Sequence, residues 1–191
     1  KQLNEKLDEY HLLKHPFYKS WNKGKLTREI IKDYAEQYYQ HVKAFPRYIS
    51  AAHSLCEDIE KRKILLENLQ DEENKDKDHP KLWRNFAAAM GSKKEDIDLV
   101  KKEKFTKELI ENFFKNGRAS YAEGLASLYT YERQIPEIAE TKIRGLKNNI
   151  KSARNSLKSY TQSWQQNYTI TAPFKGKLSY LKAITSNQYI A

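Results

Sequence analysis

TREIIKDYAEQYYQHV, residues 27–42, decides the fold. Thr27 suits a helix N-cap, because its hydroxyl can accept a hydrogen bond from a free N–H of the first turn. Glu29 follows in that turn, where the helix dipole favours negative charge. Ile30, Ile31, Tyr34, Tyr38 and Val42 then recur at helical spacing. No stretch of useful length alternates with the two-residue period of a strand. Upstream, the pattern predicts a helix from Leu3 to about Leu13, closed by His15-Pro16, and a short segment from Phe17 to Asn22 before Gly24. Downstream, Pro46 starts another helix carrying Ile49, Ala52, His53 and Cys56, and Ile59 to about Asp76 is the next. Pro80 opens Lys81 to Met90, with Gly91 just past its end, and Ser92 to Val100 is a connection. Thr106 to about Gln134 reads as the longest helix, kinked near Gly117 or Gly124. Pro136 starts Glu137 to about Lys147; weaker helical patterns cover Ala153 to Tyr168 and Lys177 to Ile184. The expectation is an all-α, single-domain bundle over residues 1–191.

Composition agrees. A chain of 191 residues suits one domain, and 39% hydrophobic content with 13 Tyr, 7 Phe and 3 Trp is not that of a disordered segment. Six Gly and five Pro are too few for the turns of a sandwich or barrel. No apolar run approaches the roughly 18 residues of a membrane span, and no signal-peptide pattern is visible. Cys56 is the only cysteine, so a disulfide framework is excluded and a cytoplasmic location is expected.

The net charge of +10 invites a nucleic-acid reading, but its distribution argues against one. Residues 141–191 hold nine Lys or Arg and no Asp, Glu or His, leaving 26 basic against 25 acidic groups before them. No nucleic-acid motif, phosphate loop or dinucleotide fingerprint is present. The expectation is neither a nucleic-acid nor a membrane partner.

Several residues are candidates for chemistry. Leu65, Leu66 and Leu69 mark a buried stripe that Glu72 and Glu73 both flank one turn on. His79 lies seven residues after Glu72, so an uninterrupted helix would stack the two on one face. That pair can serve a metal, or be a surface glutamate beside a cap-forming histidine. Glu132 follows Tyr121, Leu125 and Leu128 at helical spacing, which puts a carboxylate on an apolar face. Such a group needs a metal or a salt bridge, for which Lys142 is the nearest candidate. Tyr34, Tyr38 and His41, with Gln37, form a stripe that suits either a polar pocket or a core with satisfied hydroxyls. His53 reads as a core histidine and Cys56 as a small buried hydrophobe.

Four ordered strings carry a resemblance: HPFYKSW (15–21), DYAEQYYQHVKAFPRYISAAHS (33–54), LLENLQDEENKDKDHPKLW (65–83) and GLASLYTYERQIPEIAETKIRGL (124–146). Over residues 10–147 the chain resembles the family of the Chlamydia protein associating with death domains, within the wider TenA/PqqC group of heme-oxygenase-like helical bundles. The resemblance implies a non-haem dimetal oxygenase, with iron or manganese, that makes p-aminobenzoate for folate from one of its own tyrosines. Glu72, His79 and Glu132 match the family's first three metal ligands, with Glu132 the bridge. Tyr18 matches the consumed tyrosine, Lys142 the amino donor or helper, and Tyr34 and Tyr131 tyrosines near the site. It further implies a homodimer, a host death-domain partner, and delivery into a host cell as an alternative to the cytoplasm. No organic cofactor is expected. A non-catalytic binding module and a PqqC- or TenA-like cofactor-biosynthesis protein are the alternatives. A thiaminase reading ranks below these, since Cys56 sits in no matching string.

One departure stands out. The family supplies three further ligands as His-x-x-x-Asp-x-x-His, and the best placement here is Ser163, Asn167 and Ile170. A hydroxyl, an amide and an alkyl group replace them. The segment 148–171 is diverged, while APFKGKLSYLKA (172–183) again looks family-like. The expectation is an enzyme impaired by the loss of half its metal ligands.

Overall fold

The computed structural model describes residues 2–74 and 78–168, and every regular element among them is helical. The α-helices are α1 (Gln2–Glu9), α2 (Pro16–Asn22), α3 (Arg28–Ser54), α4 (Ile59–Glu72), α5 (His79–Met90), α6 (Lys104–Ala119), α7 (Tyr121–Glu132) and α8 (Ile135–Tyr168). Short 3-10 turns at Leu12–Lys14 and Ile97–Leu99 lie between them. The all-α expectation holds. The chain divides into two compact units, Lys1–Ile150 and Lys151–Ala191. Every candidate site residue with a described side chain lies in the first; in the second, the described backbone is the remainder of α8. The pattern from Lys177 to Ile184 and the string 172–183 lie outside the described residues. No described helix is long and apolar enough to cross a membrane.

The axis of the first unit is α3, which packs against α4, α5, α6 and α7. Thr27 caps it as expected, its Oγ1 accepting from the Ile30 N–H at 3.3 Å. Pro46 does not start a helix but lies within α3. An internal proline forfeits one backbone bond and crowds the preceding turn, at a cost of about 3 kcal/mol. Burial outweighs that cost: Phe45, Tyr48, Ile49 and Ala52 around it are nearly inaccessible and form one core cluster with Leu65 and Leu128. A second cluster joins Ala35 and Tyr39 of α3 to Ala87 of α5 and to Ile97.

The helix expected over 106–134 is two. The break is at Ser120, whose backbone is extended (φ −159°, ψ 161°). Its Oγ accepts from the Glu123 N–H and donates to the Glu123 carboxylate, an N-cap that starts α7. Gly124 instead allows close approach. A Cβ on Gly124 would stand 3.2 Å from both the Ala52 Cβ of α3 and the Gly117 Cα. Other boundaries move: the first helix, expected to about Leu13, ends at Glu9, and α5 starts at His79 rather than Lys81. The helix expected to run to about Asp76 ends at Glu72, and α8 starts at Ile135 and continues without a break past Lys147.

Candidate functional site

The carboxylates and imidazole of the site arrive from separate helices. Glu72 is the last residue of α4 and His79 the first of α5, so no uninterrupted helix stacks them. The two side chains meet all the same: His79 Nδ1 lies 2.8 Å from Glu72 Oε2. Glu72 is 11% exposed and His79 53%, so the pair sits at a cavity rim with the carboxylate inward. The hydrogen bond from Glu72 raises the His79 pKa, against the opposing effect of burial. Glu132 ends α7. Its carboxyl is held above the usual range by burial and, secondarily, by the charge of Glu72.

Lys142 comes from α8 and makes no ion pair among the described residues, so the salt bridge suggested for Glu132 is not formed. Its ammonium faces aromatic rings instead, with Nζ 4.5 Å from the Tyr38 ring centroid, 5.1 Å from Tyr34, 5.1 Å from Trp83 and 5.8 Å from Tyr18. Cation–π attraction compensates part of the lost hydration, yet burial still pushes the Lys142 pKa down to about 8. The backbone carbonyl of Lys142 accepts from Trp21 Nε1 at 3.0 Å, fixing α8 on α2 at this point.

Tyrosines complete the wall. The Tyr18 and Tyr34 hydroxyls lie 3.3 Å apart. Tyr38 and Tyr131 share a short hydroxyl–hydroxyl hydrogen bond. Burial raises all four phenol pKa values, so all four are neutral at physiological pH. A cavity of about 210 Å³ is bounded by Glu72, His79, Glu132, Lys142, Tyr38 and Tyr131, with Val42, Phe45, Trp83, Ile135, Ile138 and Ala139 as its apolar wall. Glu72, His79, Tyr131, Glu132 and Lys142 therefore meet at one cavity. Tyr18 and Tyr34 do not line it but lie within reach of the Lys142 ammonium.

Two expectations change here. Gln37 turns away from the pocket, donating to the Lys101 carbonyl and accepting from the Glu103 N–H, both at 3.0 Å. His41 is 1% exposed with no hydrogen-bond partner among the described residues at either ring nitrogen, and burial lowers its pKa to about 4. It is a neutral ring packed edge-on against Tyr131 rather than a polar pocket wall. Trp83 is the site residue that sequence reasoning missed. It lies four residues after His79, and that one-turn spacing on α5 is the signal that would have found it.

Donor chemistry tests the metal expectation. Carboxylate and imidazole suit iron or manganese. A two-ion carboxylate centre takes about six protein side chains from four helices. Among the described residues no three His, Cys, Asp or Glu side chains converge closely enough to hold an ion, and residues 141–191 contain no His, Cys, Asp or Glu. Glu72, His79 and Glu132 alone do not fit a two-ion centre.

Glu132, without an ion pair among the described residues, has a measurable consequence. Its folded-state pKa lies above the ordinary value, so folding binds a proton, and stability from that proton is lost as pH rises through the folded pKa. Glu132→Gln is therefore expected to raise the melting temperature of metal-free protein slightly at pH 7, with the difference closing near pH 3. The gain is small because the carboxyl is only half-buried and screened. A lower melting temperature at pH 7 would show that Glu132 has a stabilising partner.

The chain belongs to the TENA/THI-4/PQQC family, whose model matches residues 1–171, and its helical bundle is of the heme-oxygenase-like type of that family. It is 46% identical over 146 residues to the 4-aminobenzoate synthase of Chlamydia muridarum, covering 76% of this chain and 62% of the relative. Against the 4-aminobenzoate synthase of Nitrosomonas europaea the identity is 41% over 158 residues, covering 76% of this chain and 63% of the relative. The chain thus spans less than two thirds of the length of the curated relatives it matches.

Proposed function

We propose that this chain is a 4-aminobenzoate synthase-type protein that keeps the tyrosine and lysine side of the site and lacks a complete metal side. The observation that carries the reading is the arrangement around Lys142. The residue matched to the amino donor lies over the ring of Tyr18, matched to the consumed tyrosine, and borders the cavity with Glu72, His79 and Glu132. In this reading Tyr18 supplies the ring of p-aminobenzoate and Lys142 the nitrogen.

The chain's own residues account for the preparation of the reactants. Tyr34 holds the Tyr18 phenol by a 3.3 Å contact. The depressed pKa of Lys142 leaves a sizeable share of neutral amine near pH 8, the form with a free electron pair. Phe17 and Trp21 pack on the same tyrosine pair and limit the access of water. The three donors that remain support weak metal retention and impaired turnover.

Metal analysis and intact mass test this. Protein loaded with iron or manganese and then desalted is expected to keep fewer than two ions per chain. After incubation with ferrous iron, reductant and oxygen, most chains should retain the Tyr18 side chain. Two tightly held ions, with loss of the Tyr18 side chain from most chains, would overturn the impairment. Modification at a different tyrosine would overturn the assignment of Tyr18.

A further inference from the structure

Beside the inner cavity lies a second, wider recess of about 430 Å³, and the two share Trp83, Ala139 and Lys142. Its remaining walls are Trp21, Leu82, Phe86, Ile143 and Leu146. Lys142 is the only charged side chain among them. Leu82 and Ile143 are 51% and 54% exposed, so the recess opens to solvent and its apolar walls are available to a ligand. We propose that this groove binds a small amphipathic monocarboxylate, an aryl acid of the benzoate class, with its ring against Trp83 and Phe86 and its carboxylate on Lys142.

Charge complementarity selects that ligand. Lys142 has no carboxylate partner among the described residues, and its hydration is replaced only by ring faces. A buried cation without a counter-ion favours an anion that arrives with its own apolar body. A cationic ligand would meet the same ammonium, and a neutral one would leave it unpaired. The inner cavity sets the orientation. Glu72 and Glu132 line it, so an incoming carboxylate is repelled from the deeper side of Lys142 and stays on the groove side. Trp83 and Phe86, both partly exposed, offer faces suited to offset or edge-on ring packing. An alkyl acid would fill the same walls with less contact. Free p-aminobenzoate belongs to this ligand class, but the inference stands on the groove and does not need the proposed reaction.

Equilibrium binding to metal-free, oxygen-free protein separates the two ideas, because no turnover is involved. Benzoate and 4-aminobenzoate are titrated against the full chain and followed by tryptophan fluorescence, with benzamide as the neutral isostere. Benzoate is expected to bind about tenfold more tightly than benzamide, the worth of a charge-assisted over a neutral hydrogen bond. Lys142→Met should remove that preference while leaving benzamide binding in place. Ile143→Asp adds a carboxylate at an exposed wall position that folding tolerates, and should abolish benzoate binding while sparing benzamide. Equal affinity for acid and amide, or a preference that survives Lys142→Met, overturns the proposal. So does a dimer, seen by sedimentation, that closes the groove and that benzoate neither enters nor dissociates.

Discussion

Gly145→Ala is expected to destabilise the protein by about 3 kcal/mol, the upper part of the range for overpacking a tight contact. In most helices the same change would help, because alanine exceeds glycine in helix propensity by about 1 kcal/mol. The sign reverses here because α8 crosses α2 at this residue. A Cβ on Gly145 would lie 2.4 Å from the Trp21 Cδ1, 2.7 Å from the Trp21 carbonyl oxygen and 2.9 Å from the Trp21 Nε1. Rotating the indole does not relieve a clash with a backbone oxygen, so α2 or α8 must shift. Either shift strains the hydrogen bond from Trp21 Nε1 to the Lys142 carbonyl, and an indole N–H left buried without it costs a further 1–3 kcal/mol, roughly. Thermal denaturation should show a melting temperature lower by about 6–12 °C, given about 2–4 °C per kcal/mol for a chain of this size. Gly117→Ala is the control. Its Cβ would meet the Ala51 Cβ at 3.5 Å, an ordinary contact, so the helix-propensity gain should remain. Equal stability of Gly145→Ala and the parent would show that the crossing is looser than this contact requires.

The same crossing shows what the sequence carried and what it did not. Periodicity from Thr27 to Val42 was sufficient for α3, because the stripe of Ile31, Tyr34, Tyr38 and Val42 runs long enough to exclude a strand. Its continuation through Pro46 was not legible, since proline is a local stop signal and the burial that overrides it comes from four other helices. The break at Ser120 was legible in Ser-x-x-Glu, but two nearby glycines were the more conspicuous feature. At the site, seven-residue spacing paired Glu72 with His79 for a reason the fold does not use: the two lie at the facing ends of separate helices, not on one continuous helix. Glu132 was found as a carboxylate on an apolar face. Its lack of an ion pair with Lys142 depends on where the Lys142 side chain goes among four aromatic rings, and helix periodicity carries no information about that. Resemblance supplied Tyr18 and Tyr131 and gave Lys142 a chemical role; the structure brings Tyr131 and Lys142 to one cavity, with the Lys142 ammonium over the Tyr18 ring. The apolar groove was invisible in the sequence, because α2, α5 and α8 each contribute only one or a few of its wall residues.

Lys142→Met is expected to stabilise the protein at pH 7 by about 2 kcal/mol. Burial lowers the Lys142 pKa from 10.5 to about 8. That difference corresponds to roughly 3 kcal/mol withheld from the folded state when the amine is charged. The sign follows from proton counts. Between pH 8 and 10.5 the unfolded chain holds a proton that the folded chain has released, so stability rises with pH across that window. Below pH 8 both states are protonated and the whole cost is present; above pH 10.5 neither is, and the cost is gone. Methionine removes the charge and keeps an unbranched chain, with a sulfur that makes favourable aromatic contacts. It also gives up the cation–π attraction of the surrounding rings, which is why the expected gain is below the full cost. Urea denaturation of parent and variant at pH 7 and pH 10 checks this: the variant should lead at pH 7 and the gap should be mostly closed at pH 10. A variant less stable than the parent at pH 7 would mean that Lys142 has a partner strong enough to repay its burial. A gain would carry a functional meaning. A cation kept where an apolar residue is more stable is a cost that selection tolerates for activity or binding. The substitution that stabilises the fold should be the one that removes the preference of the groove for carboxylates.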